Sequence, residues 1–294
     1  MYHTIAELLG SAESRGAPLW RIVLDNEREL TGLPESEILI QLKGRLDVMR
    51  RASKNALAEG LPMAGGLISG AASRQHRYAL EHDGLLGSRA NRMMAFALSC
   101  SETNAAMGKI CAAPTAGACG VLPAVLFSVQ DDNGLPDEAV LKGLLTASGI
   151  GTVVMRNATV SGAEGGCQAE CGTAAGMAAA AAVEMAGGTC EAAVHACSFA
   201  LISAMGLVCD PVAGLVQVPC ALRNATQAIS ALACADMALG GSRCVIPADE
   251  VLDAVFRVGK LLPWQLKETA QGGLADTPTG KGIASRIFNI GRKQ

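Results

Sequence analysis

The alternation of apolar and polar positions along the chain predicts helices rather than strands. From Ser36 to Leu57, apolar residues recur at helical spacing with charged residues between them. No convincing strand-type alternation occurs beyond short pieces, so the chain is predicted to be all-α. Further helices are predicted over 88–108, 138–158, 169–187, 191–207, 223–239 and 248–260, with Ser88 as a cap and Pro247 in a first helical turn.

Charged residues are concentrated toward the N-terminal end. Residues 1–59 hold 17 Asp, Glu, Lys and Arg, whereas the longer stretch 160–246 holds eight. Half of all residues are hydrophobic but only 3% are aromatic, so the core must be built from small and aliphatic side chains. We predict one compact domain over 1–294, with an amphipathic helical part (about 1–59), a buried centre (about 60–246) and C-terminal helices with a loop (about 247–294).

Two apolar segments, 172–187 and 192–208, resemble membrane spans. Each is shorter than the ~20 apolar residues that a spanning helix needs, or carries a charge, so both are predicted as buried helices. Residues 1–30 have no signal-peptide pattern, and the net charge of −3 argues against a nucleic-acid surface. We therefore expect a cytoplasmic protein with reduced thiols and with neither a membrane nor a nucleic-acid partner.

Four glycine-rich loops interrupt the helical pattern, at 60–70, 114–120, 161–166 and 271–280. Glycine lets backbone N–H groups come close to an anion, so such loops suit a small carboxylate substrate. They are equally well explained as caps in a tightly packed helical bundle. None matches a phosphate-binding or dinucleotide-binding motif.

Three of the eleven cysteines sit at breaks in the helical pattern. Cys167 closes the loop 161–166, Cys209 opens a Cys-Asp-Pro turn 42 positions later, and Cys220 follows a proline after 11 more. Thiolates at loop ends can converge on one metal centre, and three rather than four leave a coordination position open. Burial as small hydrophobic residues is the alternative, because long gaps are weak signals.

Longer strings carry a more specific signal than cysteine spacing. They are Ser53–Asn55, Gly65–Gly70, Lys109–Gly120, Ser161–Gln168, Cys209–Gly214 and Pro219–Cys220. On these strings, and over nearly its whole length, the chain resembles the α chain of bacterial iron–sulfur-dependent L-serine dehydratase. The resemblance implies an all-α domain and a [4Fe–4S] cluster held by Cys167, Cys209 and Cys220.

The resemblance also implies a reaction, the conversion of L-serine to pyruvate and ammonia by a lyase. An iron without a protein ligand would act as a Lewis acid on the serine hydroxyl, so pyridoxal phosphate would not be needed. The loops would hold the substrate carboxylate. The expected substrate-binding residues are Thr115, Ala116, Gly117, Ser161 and Gly162.

The base that removes the α-proton is not identified by the sequence. Lys54 is one candidate, with a helix-end cation as its alternative interpretation. Glu164 is a second candidate and could instead orient the substrate ammonium. A residue of a partner chain is the third option.

The chain departs from single-chain relatives of this family in two respects. It lacks their N-terminal regulatory-type domain, and it ends at residues 291–294 without their C-terminal cysteine. Both departures fit the split form of the enzyme, in which a separate serine dehydratase β chain completes a hetero-oligomer.

Three alternatives remain open at this stage. A related [4Fe–4S] L-cysteine desulfidase would use similar loops, with sulfide as the leaving group. A non-catalytic, cluster-based redox-sensing module would need a fully ligated cluster or a docking surface. A zinc protein is the third alternative.

Overall fold

Amphipathic and alanine-rich segments build an α-helical domain. The computed structural model describes residues 1–290, with side chains described as far as Phe288. Within this range no β-strand is present, only an isolated bridge between Cys209 and Lys267. The helices are α1 (Ile5–Arg15), α2 (Leu19–Thr31), α3 (Glu35–Lys54), α4 (Ala71–Glu81), α5 (Gly87–Ala105), α6 (Val121–Asn133), α7 (Asp137–Asn157), α8 (Gly162–Gly165), α9 (Thr173–Met185), α10 (Cys190–Ala204), α11 (Cys220–Leu239), α12 (Ala248–Leu261) and α13 (Pro278–Ile290).

Helix α9 forms the centre of the domain. It packs against α6, α7, α10 and α11, and almost every one of its side chains is buried. Most of these side chains are alanines, which let the surrounding helices approach closely. Larger residues of the neighbours, among them Phe127, Leu126 and Ile150, fill the remaining space. The central helix thereby fixes the position of its own N-terminal end, where Cys167 and Cys171 lie.

The N-terminal helices cover this centre with their apolar faces. Helix α2 packs on α7, α3 packs on α5 and α6, and α1 contacts α10 and α12. The Asp249 carboxylate of α12 accepts hydrogen bonds from the N–H groups of Ile5 and Ala6 at 2.8 and 2.9 Å. This contact satisfies two free N–H groups at the start of α1 and ties the first helix to a late one.

The all-α prediction is confirmed, and the long helices lie close to their predicted positions. Three details were wrong. Ser88 lies inside α5 and does not cap it, Pro247 precedes α12 as its N-cap residue, and α11 begins at Cys220 rather than at 223. Proline is well suited to a cap position because its fixed φ leads into a helix. Residues 291–294 of the predicted domain lie outside the described residues.

The segment predicted as one helix over 169–187 consists of two parts. A π-helical turn at Gln168–Gly172 leads directly into α9. The Gln168 side chain is buried across this turn, donating to the Val255 carbonyl at 3.0 Å and accepting from the Gly206 N–H at 2.8 Å. These two contacts hold the widened turn that carries Glu170 and Cys171.

Helix α7 is long and apolar enough, by composition, to cross a membrane. In the structure 61% of its apolar window is buried against other helices, as in the core helix of a globular domain. The two segments that the sequence singled out for this property are buried as predicted, in α9 and α10.

Candidate active site

The three cysteines predicted as ligands lie where loops meet beside the N-terminal end of α9. Cys167 precedes the π-helical turn, and Cys220 is the first residue of α11. Cys209 lies in an extended segment, where its N–H donates to the Leu266 carbonyl at 2.8 Å and its carbonyl accepts from the Glu268 N–H at 2.7 Å. Cys167 and Cys209 are each 3% exposed, and Cys220 is partly buried.

The thiols are close enough to affect one another's ionisation. Burial raises the pKa of Cys220 to about 12, with further contributions from Cys167 and Glu170. Burial also raises the pKa of Cys209, and Glu170, Cys167 and Cys220 add to that effect. Because the charged forms disfavour one another, these buried thiols become thiolates together only beside added positive charge. This donor set fits a metal centre.

Cys167 differs from the other two in its surroundings. A hydrogen bond from the Cys171 thiol, followed by the Arg223 guanidinium, outweighs burial and lowers the pKa of Cys167. The same hydrogen bond, with burial, raises the pKa of Cys171 well above its ordinary value. Cys167 is therefore the thiol of this group most readily ionised.

Arg223, in the first turn of α11, holds the cysteine loops in place. Its guanidinium pairs with the Asp210 carboxylate at 2.9 Å and donates to the Val208 carbonyl at 2.5 Å. The second Asp210 oxygen accepts from the Leu274 N–H at 2.8 Å. The glycine-rich loop 271–280 is thereby attached to the segment that carries Cys209.

Asn224 joins the loop 114–120 to the start of α11. Its side-chain amide donates to the carbonyls of Gly117 and Cys220 at 2.7 and 2.8 Å, and its oxygen accepts from the Gly120 N–H at 2.8 Å. The residue is 1% exposed. The side-chain amide of Asn224 thus finds its hydrogen-bond partners inside the protein, and these bonds fix the loop 114–120 relative to Cys220.

A carboxylate that the sequence did not single out, that of Glu170, lies among the predicted substrate-binding residues. The Thr115 hydroxyl donates to Glu170 Oε1 at 2.8 Å, and Cys209 Sγ lies 3.9 Å from Oε2. A Cβ atom at Gly162 would lie 2.6 Å from Oε2, and one at Gly117 would lie 3.1 Å from Oε1. The two glycines therefore give the carboxylate the room that a side chain would take.

The other predicted substrate-binding residues lie further out. Ser161 precedes α8, and its carbonyl accepts from the N–H groups of Glu164 and Gly165. Ala116 is exposed, and its carbonyl accepts from the Asn104 amide at 3.2 Å. Ala116 also borders a cavity of about 550 Å³ between the loops 60–70 and 214–217, which none of the three cysteines lines.

The two predicted catalytic residues are on the surface of this chain. Lys54 is the exposed last residue of α3. The Glu164 side chain is 57% exposed and lies 4.0 Å from the ammonium of Lys260. Neither side chain is buried on this chain. Their catalytic roles stay predictions.

Within residues 1–290, no three His, Cys, Asp or Glu side chains are gathered closely enough to hold a single metal ion. The three cysteines therefore do not form a mononuclear zinc site, in which every donor lies about 2.0–2.3 Å from one ion. The thiolates of a multi-iron cluster bind different irons, so a cluster does not require the three sulfur atoms to meet at one ion.

Comparison with known proteins places the chain in a family. The family model for the serine dehydratase alpha chain matches residues 14–275. The probable L-serine dehydratase alpha chain of Bacillus subtilis (strain 168) is 44% identical over 98% of this chain and 96% of its own length. The L-serine dehydratase alpha chain of Peptoniphilus asaccharolyticus is also 44% identical, over 99% of this chain and 100% of its own length. An L-serine dehydratase of Streptomyces coelicolor is 35% identical over 93% of this chain and 61% of its own length. This chain belongs to the serine dehydratase alpha chain family.

Proposed function

We propose that this chain is the catalytic α chain of an L-serine dehydratase, a lyase that forms pyruvate and ammonia from L-serine. The observation that supports the proposal most strongly is the meeting of Cys167, Cys209 and Cys220 beside a half-buried carboxylate, that of Glu170. The names of the full-length relatives supply the reaction.

Serine dehydration has two chemical obstacles, a weakly acidic α-proton and hydroxide as a poor leaving group. Cys167, Cys209 and Cys220 would hold a [4Fe–4S] cluster, which supplies Lewis-acid assistance to the leaving group when bound. The fit rests on two buried thiols and a partly buried one that affect one another's ionisation, and on the Arg223 cation beside Cys167.

Side-chain hydrogen bonds and ion pairs of this chain hold the loops of the proposed site together. The contacts of Asn224 and Arg223 hold three loops in fixed positions, and Thr115 fixes one oxygen of Glu170. Such preorganised groups lower the cost of orienting a substrate. The dehydrated product, an aminoacrylate, tautomerises and hydrolyses in water to pyruvate and ammonia.

Gly117 and Gly162 now have a specific structural role beside their predicted one. Each makes room for the Glu170 carboxylate. We keep Thr115, Ala116, Gly117, Ser161 and Gly162 as proposed substrate-site residues, with Thr115, Gly117 and Gly162 acting through Glu170. No pyridoxal phosphate is included in this proposal.

The identity of the base that removes the α-proton depends on how a partner chain covers this one. Lys54 and Glu164 are exposed on this chain, so a serine dehydratase β chain would have to cover either of them to bury it. A base supplied by that partner is the remaining option. We propose a cytoplasmic hetero-oligomer of α and β chains.

The proposal is tested by measuring pyruvate formation under anaerobic conditions from L-serine and L-cysteine, with and without the β chain. We expect a higher kcat/KM for L-serine and greater activity with the β chain. A higher kcat/KM for L-cysteine would identify a desulfidase. Zinc in place of iron and sulfide, or a bound cluster without turnover of either substrate, would favour the other two alternatives.

A further inference from the structure

Glu170 is a half-buried carboxylate without a cationic partner in the part of the chain that the structure describes. Among the described residues no Lys, Arg or His forms an ion pair with it, and the charged group that acts on it is the negative Glu268. The nearby guanidinium of Arg223 is already engaged by Asp210 and by the Val208 carbonyl. A carboxylate taken out of water is costly unless a positive charge compensates it.

The two oxygens of this carboxylate are not equivalent. Oε1 accepts the Thr115 hydroxyl at 2.8 Å, whereas Oε2 has only the weak sulfur contact with Cys209 at 3.9 Å. Gly162 packs closely against Oε2, where a Cβ atom would lie 2.6 Å away, and offers this oxygen no side-chain donor. Oε2 therefore retains hydrogen-bonding capacity on the side that faces the cysteines.

We propose that Glu170 binds the α-ammonium group of the amino-acid substrate and thereby selects amino acids over carboxylic acids that lack the amine. The inference rests on the proposed function, because it places the substrate beside Glu170 and the three cysteines. An ammonium group supplies both the missing positive charge and the donors for Oε2. Glu164, the residue that the sequence suggested for this role, faces Lys260 at the surface instead.

The test compares two unreactive ligands that differ by the amino group. L-alanine has no hydroxyl to expel, and propanoate is L-alanine without its amine. Their dissociation constants are measured by anaerobic calorimetry on the cluster-loaded enzyme with its β chain, for the wild type and for Glu170→Gln. The glutamine keeps an acceptor for Thr115 and removes the charge.

We expect Glu170→Gln to weaken L-alanine binding by about 10- to 100-fold, since hydrogen bonds to charged groups contribute most when both partners are ionised. Propanoate binding stays unchanged. The KM for L-serine rises by a similar factor, with a smaller change in kcat. A fall in kcat with an unchanged KM would identify Glu170 as a base and overturn the inference.

Glu184→Gln is the matched control. Glu184 is likewise half-buried and hydrogen-bonded by a threonine, with Thr146 Oγ1 at 3.1 Å, but it lies near the far end of α9. Its substitution leaves both ligand affinities as they are in the wild type. Equal loss of L-alanine and propanoate binding in Glu170→Gln, or equal affinity of the wild type for the two ligands, also overturns the inference.

Two further measurements keep the test decisive. If Glu170→Gln fails to retain iron, Thr115→Val takes its place, and a selective loss of L-alanine affinity of a few-fold is expected from the lost hydroxyl donor. Loss of both affinities in that variant, or of neither, counts against the inference. A wild-type enzyme that binds L-alanine selectively but forms no pyruvate from L-serine would contradict the proposed function while supporting the ammonium site.

Discussion

The Thr115 hydroxyl donates a 2.8 Å hydrogen bond to Glu170 Oε1 and so joins two motifs 55 positions apart. Thr115 belongs to a loop that was predicted to bind substrate, and Glu170 follows Cys167, a predicted cluster ligand, in the π-helical turn. Their contact brings the loop 114–120 and this turn together. The carboxylate between them gives that site a negative charge that neither motif predicted alone.

Cys209→Ser should abolish dehydratase activity while leaving the helices intact. A serine hydroxyl is a poor replacement for a thiolate ligand, so we expect loss of iron and at least about a hundredfold drop in pyruvate formation. Iron analysis and circular dichroism measure the two properties separately.

Cys190→Ser provides the comparison for that variant. Cys190 is half-buried at the start of α10, where its thiol contacts the Ala17 carbonyl at 3.7 Å, and a hydroxyl can keep this contact. The Cys190→Ser variant should therefore retain iron and activity. Full activity in Cys209→Ser would remove Cys209 from the proposed ligand set.

Arg223→Gln should destabilise the domain and weaken cluster retention. The substitution leaves Asp210, whose side chain is 4% exposed, without its ion-pair partner. Removing one member of a largely buried pair costs about 3–5 kcal/mol. Urea unfolding should show a cost near the lower end of that range, because the Leu274 N–H still binds Asp210. An unchanged midpoint would mean that the pair contributes little to folding.

Glu102→Gln should loosen the loop 60–70. The Glu102 carboxylate is fully buried and accepts from the N–H groups of Leu61, Gly70 and Ala72 at 3.2, 3.0 and 2.7 Å. Glutamine has one acceptor oxygen and turns an N–H₂ group toward the remaining donors. We expect a loss of about 2–4 kcal/mol in unfolding free energy and faster proteolysis within 60–70. Unaltered proteolysis would contradict the anchoring role.

Glu184→Gln should stabilise the protein above about pH 5. Burial raises the pKa of Glu184, so the folded state holds this proton more tightly than the unfolded state does. Stability is therefore lost as pH rises from the unfolded pKa, about 4.3, through the higher folded value. Partial exposure of the side chain limits the effect.

The expected gain for that variant is about 1–3 °C in Tm at neutral pH, because glutamine still accepts from Thr146. The difference from the wild type should vanish toward pH 4, where both states hold the proton. A Tm difference that does not change with pH would show that packing, rather than ionisation, is responsible.

Sequence periodicity predicted the long helices because their burial follows from local spacing. It did not predict the π-helical turn, since the sequence before the Ala-rich α9 permits an α-helix there and the buried contacts of Gln168 decide otherwise. The cysteine trio was identified through long strings shared with a family, and spacing alone left it open. One feature of the sequence could have pointed to Glu170 as a functional residue, its position as a carboxylate in the sparsely charged stretch 160–246.

The roles of Asn224 and Glu102 have no comparable sequence signal. Asn224 acts through Gly117, 107 positions earlier, and Glu102 through Ala72, 30 positions earlier. Such pairings depend on which loops meet after the helices pack. Local patterns do not contain that information.

We propose above that Cys167, Cys209 and Cys220 hold a cluster whose remaining iron meets the substrate. The most direct measurement is an anaerobic Mössbauer spectrum of the ⁵⁷Fe-loaded enzyme with its β chain, before and after addition of L-serine. We expect about one quarter of the iron signal to change, corresponding to one iron of four. A spectrum in which all four irons keep their signals, or in which no iron–sulfur cluster is present, would contradict it.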